Sequence, residues 1–174
     1  IGCGQPTFNW GWNNTFNYKN FDFSFFVVGF HGFDIYNATH QMGYNLIKSQ
    51  QVAGVTPMRE LLNRWTPTNT NTNIPGFVNG GTENKDFFST RFVENGSFIK
   101  MKSITLGYTL PETACRALGI TNLRVYASVQ NPFHITNYSG LDPEATMGSP
   151  LVQGVDWGSY PNSRNYLIGL NFSF

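Results

Sequence analysis

The sequence contains few charged residues, no long apolar run and only two cysteines, and each shortage excludes a class of protein. Charged residues make up 12% of the 174 residues and the formal net charge is +1, so no basic stripe is present to follow nucleic-acid phosphates. No apolar run approaches the roughly 18 residues of a membrane-spanning helix. Because the aromatic content is 16%, the composition indicates a surface that is not all in contact with water.

The cysteines, Cys3 and Cys115, are too few for a disulfide framework and have the wrong spacing for a zinc site. We therefore favour structural thiols, with a Cys3–Cys115 disulfide as the alternative in an oxidising compartment. The chain starts without an initiator methionine, a basic segment or the apolar core of a secretion signal. We therefore expect either that a signal was removed or that the chain is the tail of a longer protein.

Apolar and polar residues alternate along five segments, which is typical of strands with two different faces. Residues 8–18 place aromatic rings on one side and Asn, Gly and Thr on the other, with Asn14 as the exception. The dipeptide Lys19-Asn20 then predicts a tight hairpin into the next strand. The predicted strands cover residues of about 7–18, 21–30, 97–110, 122–131 and 164–174, with long loops at about 31–95 and 134–162.

Short connections between the predicted strands alternate with long ones, which is typical of outer-membrane β-barrels with their short turns in the periplasm. A soluble β-sandwich has the same period-two pattern. The polar side of these strands, however, carries Asn, Ser, Thr and Gly rather than Lys and Glu, which favours a crowded barrel interior. We therefore predict an all-β fold for residues 1–174, an antiparallel transmembrane β-barrel segment with long extracellular loops that carry a short helix.

The predicted helix lies in the first long loop. Thr56 suits the N-cap and Pro57 suits the first helical position, so an amphipathic helix is expected over about Pro57–Trp65, followed by an Asn/Thr tract. A second, short helical turn is expected in PETACRALGITN, where a proline again stands at a helix-start position.

Candidates for chemistry are few. His31, His40 and His134 lack metal-ligand spacing. Asp142 and Glu144 stand in a stretch rich in Gly and Pro, which favours a structured loop over a carboxylate pair or a calcium site. The sequence therefore predicts no catalytic residues, no metal ligands and no cofactor, and we expect that the chain is not an enzyme.

Several stretches together resemble the SusC/RagA family of TonB-dependent outer-membrane transporters, and they occur in the family's order over most of the chain. These stretches are FNWGWNNTFNYKNFDFSFFVVGFHGFDIYN, NRWTPTNTNTNIP, RFVENGSFIKMKSITLGYTLP, LRVYASVQNPFHITNYSGLDPE and YPNSRNYLIGLNFSF. One departure is IPGF, where the resemblance leads us to expect a basic residue after the proline.

The resemblance implies a barrel of about 22 strands in the Gram-negative outer membrane, of which this chain supplies the last five. Its partners would be the remainder of the same transporter (plug and other barrel strands), a SusD-like surface lipoprotein, outer-membrane lipid and, through the missing N-terminal part, the TonB energy-coupling protein. The implied function is TonB-dependent active import of a nutrient, either an oligosaccharide or a peptide. This chain would then form barrel wall and part of the extracellular substrate chamber.

On that reading, the candidates for contacting substrate are loop aromatics and amides, because rings stack on sugars and amides match hydroxyl groups. They are Trp65, Asn71, Trp157 and Tyr160, for which ordinary loop packing is the competing explanation. Phe174 is the candidate signal to the barrel-assembly machinery. The alternative for the whole chain is a self-contained small outer-membrane barrel or a β-sandwich that acts as a binding or adhesion module.

Overall fold

The computed structural model describes residues 1–44, 57–76, 89–117, 119–147 and 152–174, which form two compact units. The sheet unit consists of Pro6–Phe33, Gly96–Asn137 and Pro161–Phe174, and the loop unit consists of Ile1–Gln5, Asp34–Asn95 and Tyr138–Tyr160. The units alternate along the chain because two long connections leave the main sheet and return to it.

Strands make up most of the regular structure. In chain order they are β1 (Phe8–Tyr18), β2 (Phe21–His31), β3 (Asp34–Asn37), β4 (Val93–Asn95), β5 (Phe98–Thr109), β6 (Asn122–Gln130), β7 (His134–Thr136), β8 (Val155–Asp156) and β9 (Asn165–Ser173). The described α-helices are α1 (Ala38–Tyr44) and α2 (Glu112–Ala117), and short 3₁₀ helices lie at Arg59–Asn63, Thr90–Phe92 and Pro143–Met147. Within the described ranges, none of the helices has the length and apolar character needed to cross a membrane.

The sheet unit is a single antiparallel sheet in which the long strands follow the order β1-β2-β5-β6-β9, and the short β7 also pairs with β5. The hairpin at Lys19-Asn20 places Tyr18 opposite Phe21, and Lys19 takes a positive φ of 52° to close the turn. The all-β antiparallel fold predicted from the alternation is therefore confirmed.

Strand register separates the residues into two faces. On one face, a single row runs across the sheet through Phe16, Phe23, Leu106, Ala127 and Ile168, each paired with the next. The adjacent row on the other face runs through Asn17, Asp22, Gly107, Tyr126 and Gly169. Because side chains alternate along every strand, the first face is apolar and the second is mainly polar.

The apolar face is exposed rather than packed beneath a second layer. Leu106 is 50% exposed, Leu170 is 60% exposed and Ile168 is 81% exposed. Aromatic side chains of the same face, such as Phe16 and Tyr18, are also exposed. In a soluble sandwich these residues would be the buried core. A sandwich formed by this chain is therefore the wrong interpretation of the alternation.

Glycines on the polar face let larger side chains lie across neighbouring strands. Arg124 on β6 donates from Nε and Nη2 to the Asp22 carboxylate on β2, at 2.9 and 2.5 Å, and both side chains pass over Gly107 on β5. Likewise, the Tyr126 ring covers the position that a Cβ of Gly169 would occupy. The hydroxyls of Thr105 and Ser128 are hydrogen-bonded at 2.8 Å.

The buried part of the sheet unit lies on the other half of this face, beyond a β-bulge at Phe26/Val27. Phe98 is fully buried there and stacks on Phe30 with the ring centres 5.1 Å apart, while Phe33 packs edge-on against it. The buried side chains at this end of the strands are thus mainly aromatic, with the buried Lys100 on the same face.

The loop unit has its own small sheet, in the order β4-β3-β8, in which β3 and β8 run parallel. Its buried apolar residues include Ile35, Ala38, Leu61 and Phe92. The long loops predicted from the sequence therefore contain short strands that pair segments far apart in the chain.

The helix expected over about Pro57–Trp65 is wrong in length and type, since only a 3₁₀ turn forms at Arg59–Asn63. Met58 occupies the N-cap position without a side-chain hydrogen bond, and Arg64 at the C-cap is extended. The N–H of Trp65 donates to the Ile74 carbonyl instead of continuing the helix, at 2.8 Å. The proposed cap, Thr56, lies outside the described residues.

The helical turn expected after Pro111 is present as α2. It buries Cys115, whose thiol lies 3.8 Å from the Leu110 carbonyl oxygen. Cys3 is exposed, and both cysteines are free thiols. Only Cys115 therefore has the structural environment that the sequence analysis favoured for both.

Candidate functional site

The loop unit contains an open cleft of about 410 Å³ beside Trp65. The other residues that line it are Thr72, Asn73, Ile74, Pro75, Gly76, Ser89 and Arg91. The walls therefore combine an indole ring and aliphatic groups with hydroxyl, amide and guanidinium groups. Such mixed walls are typical of clefts that bind small polar ligands.

Backbone hydrogen bonding and close packing hold Trp65 in place. Its N–H donates to the carbonyl of Ile74, which is itself buried. A Cβ on Gly76 would lie 2.9 Å from the Trp65 carbonyl oxygen and 3.0 Å from Cε3 of the indole, so a larger residue would require Trp65 or the chain at Gly76 to shift. The ring nevertheless remains 47% exposed and is available to a ligand.

The Asn/Thr tract after Trp65 forms a turn centred on Asn69. Backbone hydrogen bonds of 3.0 Å run in both directions between Thr66 and Asn69. The Asn69 amide also donates to Asn63 Oδ1 at 3.0 Å and to the Arg64 carbonyl at 3.2 Å. Asn71 lies beyond this turn and is exposed.

Arg91 enters the cleft from the segment before β4. Its Nη1 donates to the Asn73 carbonyl at 2.5 Å, and its guanidinium lies 5.2 Å from the centre of the Tyr44 ring. The Tyr44 hydroxyl in turn donates to Glu60. Burial and the Glu60 carboxylate both raise the pKa of Tyr44, so this phenol stays protonated at neutral pH.

A polar network joins the parts of the loop unit. The Glu94 carboxylate accepts hydrogen bonds from Asn37 at 3.0 Å and from the Ser139 backbone and hydroxyl, both at 2.8 Å. The backbone N–H of His40 donates to Asn37 Oδ1 at 2.8 Å. The imidazole Nδ1 of His40 lies 3.5 Å from Glu94 Oε1. Segments near residues 37, 94 and 139 are thereby tied together.

A second anchor holds the loop that carries Trp157. Asp156 is buried, and its carboxylate accepts from the Tyr138 hydroxyl at 2.6 Å and from the N–H groups of Gly158 and Ser159 at 2.9 and 3.0 Å. Burial, followed by the hydrogen bond to Asp156, raises the pKa of Tyr138 far above its ordinary value. Gly158 adopts a φ of 84°, which favours glycine in this turn.

The four residues predicted to contact substrate all belong to the loop unit, and all are exposed. Trp65 lines the cleft, whereas Asn71, Trp157 and Tyr160 are not among its lining residues. Tyr160 is 89% exposed, and its contact with substrate stays a prediction. Phe174 is also exposed and packs edge-on against Phe172, and its role as an assembly signal stays a prediction.

Sequence reasoning missed Arg91 as a site residue, because it is distant from Trp65 in the chain and its stretch, RFVENGSF, carried only the family resemblance. It also placed no emphasis on Tyr138 or Asp156, whose pairing depends on tertiary contact. The expectation of a structured loop at Asp142 and Glu144 agrees with the 3₁₀ helix there, in which Asp142 Oδ1 accepts from the Glu144 N–H at 3.1 Å. In the described part of the chain, no three His, Cys, Asp or Glu residues form a group that could hold a metal ion.

Comparison with known proteins finds relatives along the whole chain, although no protein-family model matches it. TonB-dependent receptor P3 of Formosa agariphila is 36% identical over an alignment 180 residues long, which covers 100% of this chain and 17% of that receptor. TonB-dependent receptor SusC of Bacteroides thetaiotaomicron is 32% identical over 165 residues, covering 94% of this chain and 15% of that receptor. The chain therefore spans less than a fifth of these curated relatives.

Solved structures give the same result. A chain of the RagAB peptide importer in its closed-closed state aligns with a TM-score of 0.78 and 27% identity, over 98% of this chain and 18% of its own length. The open-open state of the same importer aligns with the same score. All of these proteins are receptors or importers, in agreement with the expectation that the chain is not an enzyme.

Proposed function

We propose that this chain, which belongs to the SusC/RagA family of TonB-dependent receptors, forms part of the wall and part of the substrate chamber of an outer-membrane nutrient importer. The observation that carries the proposal is the two-sided sheet, with an exposed apolar face opposite a face of amides, hydroxyls and one ion pair. In a barrel wall, the apolar face contacts lipid hydrocarbon and the polar face contacts the lumen.

The strand edges support a role within a larger barrel. In the described sheet, β1 pairs only with β2, and β9 pairs only with β6, so each leaves one row of backbone groups to be paired by other strands. Lipid cannot accept or donate these hydrogen bonds. We propose that the remaining strands of an approximately 22-stranded barrel supply the partners. The two unpaired edges disfavour a self-contained small barrel, because such a barrel would pair them within this chain.

The loop unit supports the chamber role. Its exposed rings and amides, at Trp65, Asn71, Trp157 and Tyr160, stand on segments that contain side-chain hydrogen bonds. Binding residues commonly lie on loops that a rigid scaffold positions. We propose that these side chains contact an oligosaccharide or a peptide, and the peptide importer named among the related structures favours the second class.

The proposed partners follow from the family. They are the plug and the other barrel strands of the same transporter, a SusD-like lipoprotein that covers the chamber, and the TonB protein, which drives release of the bound nutrient. The proposed location is the outer membrane of a Gram-negative cell, with the loop unit on the extracellular side.

Uptake by cells that carry the full-length receptor tests the proposal. Fluorescent oligosaccharides and oligopeptides are offered to cells with and without the receptor gene and with and without TonB. We expect accumulation of at least one compound that requires both proteins. If every compound enters equally well without TonB, or without the receptor, active import by this receptor is wrong.

A further inference from the structure

Arg91 gives the Trp65 cleft a fixed positive charge. Its backbone N–H donates to Ser89 Oγ at 3.2 Å, its Nη1 donates to the Asn73 carbonyl, and its guanidinium rests on Tyr44. The contacts with Asn73 and Tyr44 position the guanidinium, and neither of these partners carries a negative charge. Within the described part of the chain, no carboxylate forms an ion pair with Arg91, since the nearby Glu60 bonds to Tyr44 and approaches His40 at 3.7 Å.

The cleft as a whole suits a ligand that has an anionic group next to a flat apolar surface. The lining includes apolar groups from Trp65, Ile74 and Pro75, and hydroxyl groups from Thr72 and Ser89. A guanidinium presents a planar set of donors that matches a carboxylate in two-point contact. An indole ring stacks on sugar faces and on apolar side chains.

We infer that this cleft binds a carboxylate of the imported molecule, with Arg91 donating to the carboxylate and Trp65 contacting the adjoining ring or side chain. The inference rests on the proposed import function and narrows its substrate to acidic ligands. Two sources carry the same chemistry: a uronic acid unit of an oligosaccharide, and the C-terminal carboxylate of a peptide.

Binding to the purified full-length receptor tests the inference. Calorimetry compares trigalacturonate with its methyl ester, and the tripeptide Ala-Ala-Phe with its C-terminal amide. At least one acid should bind roughly tenfold or more tightly than its neutral counterpart, because hydrogen bonds to charged groups contribute more than neutral ones. The acid that shows the preference identifies the source.

Variants assign the preference to this cleft. Arg91→Gln should remove the preference for the acid, and Arg91→Lys should keep part of it because the charge remains. Arg59→Gln is the matched control, since it removes an exposed arginine from the same unit outside the cleft, and the preference should stay. Trp65→Phe should weaken acid and neutral ligand to a similar degree, and retained heat-modifiable migration would show that each variant is folded.

The inference is overturned if neither acid binds, if acid and neutral forms bind equally, or if Arg91→Gln keeps the preference. TonB-dependent uptake by the same receptor is measured in parallel. Uptake without any preference for the acid rejects the inference and leaves the import function standing, whereas loss of all TonB-dependent uptake rejects the import function itself.

Discussion

Asp22 and Arg124 are joined by two hydrogen bonds although a complete strand lies between them. The register places Asp22 and Tyr126 on either side of Gly107, and Arg124 lies two residues before Tyr126 on the same face. The side chains of Asp22 and Arg124 therefore meet over the glycine. Arg124 also lies 5.0 Å from the centre of the Tyr126 ring. The polar face therefore has an ion pair whose geometry depends on a missing side chain.

Replacing Gly107 should break this ion pair. A Cβ at this position would overlap the Asp22 carboxylate and lie 2.6 Å from Arg124 Nη2. We expect Gly107→Ala to destabilise the full-length receptor by about 1 kcal/mol, the size of a partly exposed ion pair. Thermal unfolding of the receptor in detergent measures the change.

A double-mutant cycle provides the control for that experiment. In a receptor that already carries Arg124→Ala and Asp22→Ala, the Gly107→Ala change should cost much less, because the clash has been removed. An equal cost in both backgrounds would mean that the glycine matters for a reason other than the ion pair.

A charge on the apolar face should prevent assembly of the barrel. Leu170 is 60% exposed on the face that we assign to lipid, and its neighbour Asn171 points to the opposite face. Leu170→Arg should cost about 2–4 kcal/mol near the membrane midplane and reduce the yield of folded receptor. Asn171→Arg adds the same charge on the polar face, where repulsion from its cross-strand partner Arg124 should cost no more than about 1 kcal/mol. Equal yields of the two variants in outer-membrane fractions would contradict the assignment of the faces.

The Tyr138–Asp156 pair should make the loop unit sensitive to alkaline pH. Because the folded state raises the pKa of Tyr138, the unfolded segment loses its phenol proton first as the pH rises above about 10. The stabilisation is thus complete below pH 10 and declines above it, by at most about 1.4 kcal/mol per pH unit for one group. Limited proteolysis of the loop unit at pH 8 to 11 measures this loss.

Tyr138→Phe separates this effect from general alkaline damage. The variant should be less stable at pH 8 by about 1 kcal/mol, since Asp156 loses a hydrogen bond, but its cleavage rate should rise less steeply with pH. Tyr160→Phe changes an exposed phenol and should reproduce the wild-type profile. A steep rise in Tyr138→Phe would assign the pH sensitivity to other groups.

The turn after Trp65 should depend on one amide. Asn69 donates to Asn63 and to the Arg64 carbonyl, so Asn69→Ala should destabilise the turn by about 1–2 kcal/mol. Faster protease cleavage within residues 66–73 is the expected readout. Thr70→Ala, an exposed neighbour, should leave the cleavage rate unchanged, and matching rates in both variants would exclude the role given to Asn69.

Much of the sheet was predictable because period-two alternation is a local property of the chain. To predict the row from Phe16 to Ile168, one needs only the strand positions, the two-residue hairpin and the rule that paired residues share a face. The small sheet of the loop unit was not predictable, since β3 and β8 are short and come from opposite ends of the chain. The helix near residue 60 was predicted too long, because the Trp65 N–H finds a tertiary partner in Ile74.

The site was predictable only in part. Exposed aromatics in long loops suggested Trp65, Trp157 and Tyr160, and these side chains are exposed. Arg91 needed the fold to bring it beside Trp65, and the carboxylates of Glu94 and Asp156 accept hydrogen bonds from residues that are 45 and 18 positions away in the sequence. Such contacts cannot be predicted from the composition or from the spacing of residues in the sequence.

Glycines 29, 107 and 169 each lie beneath a large side chain from a neighbouring strand, namely Trp10, Arg124 with Asp22, and Tyr126. Substitution of any of these glycines is therefore acceptable only when the overlying group shrinks in the same step. Among homologous receptors, the residues of each pair should therefore covary. An alanine or serine at position 169 should occur together with a small residue at position 126.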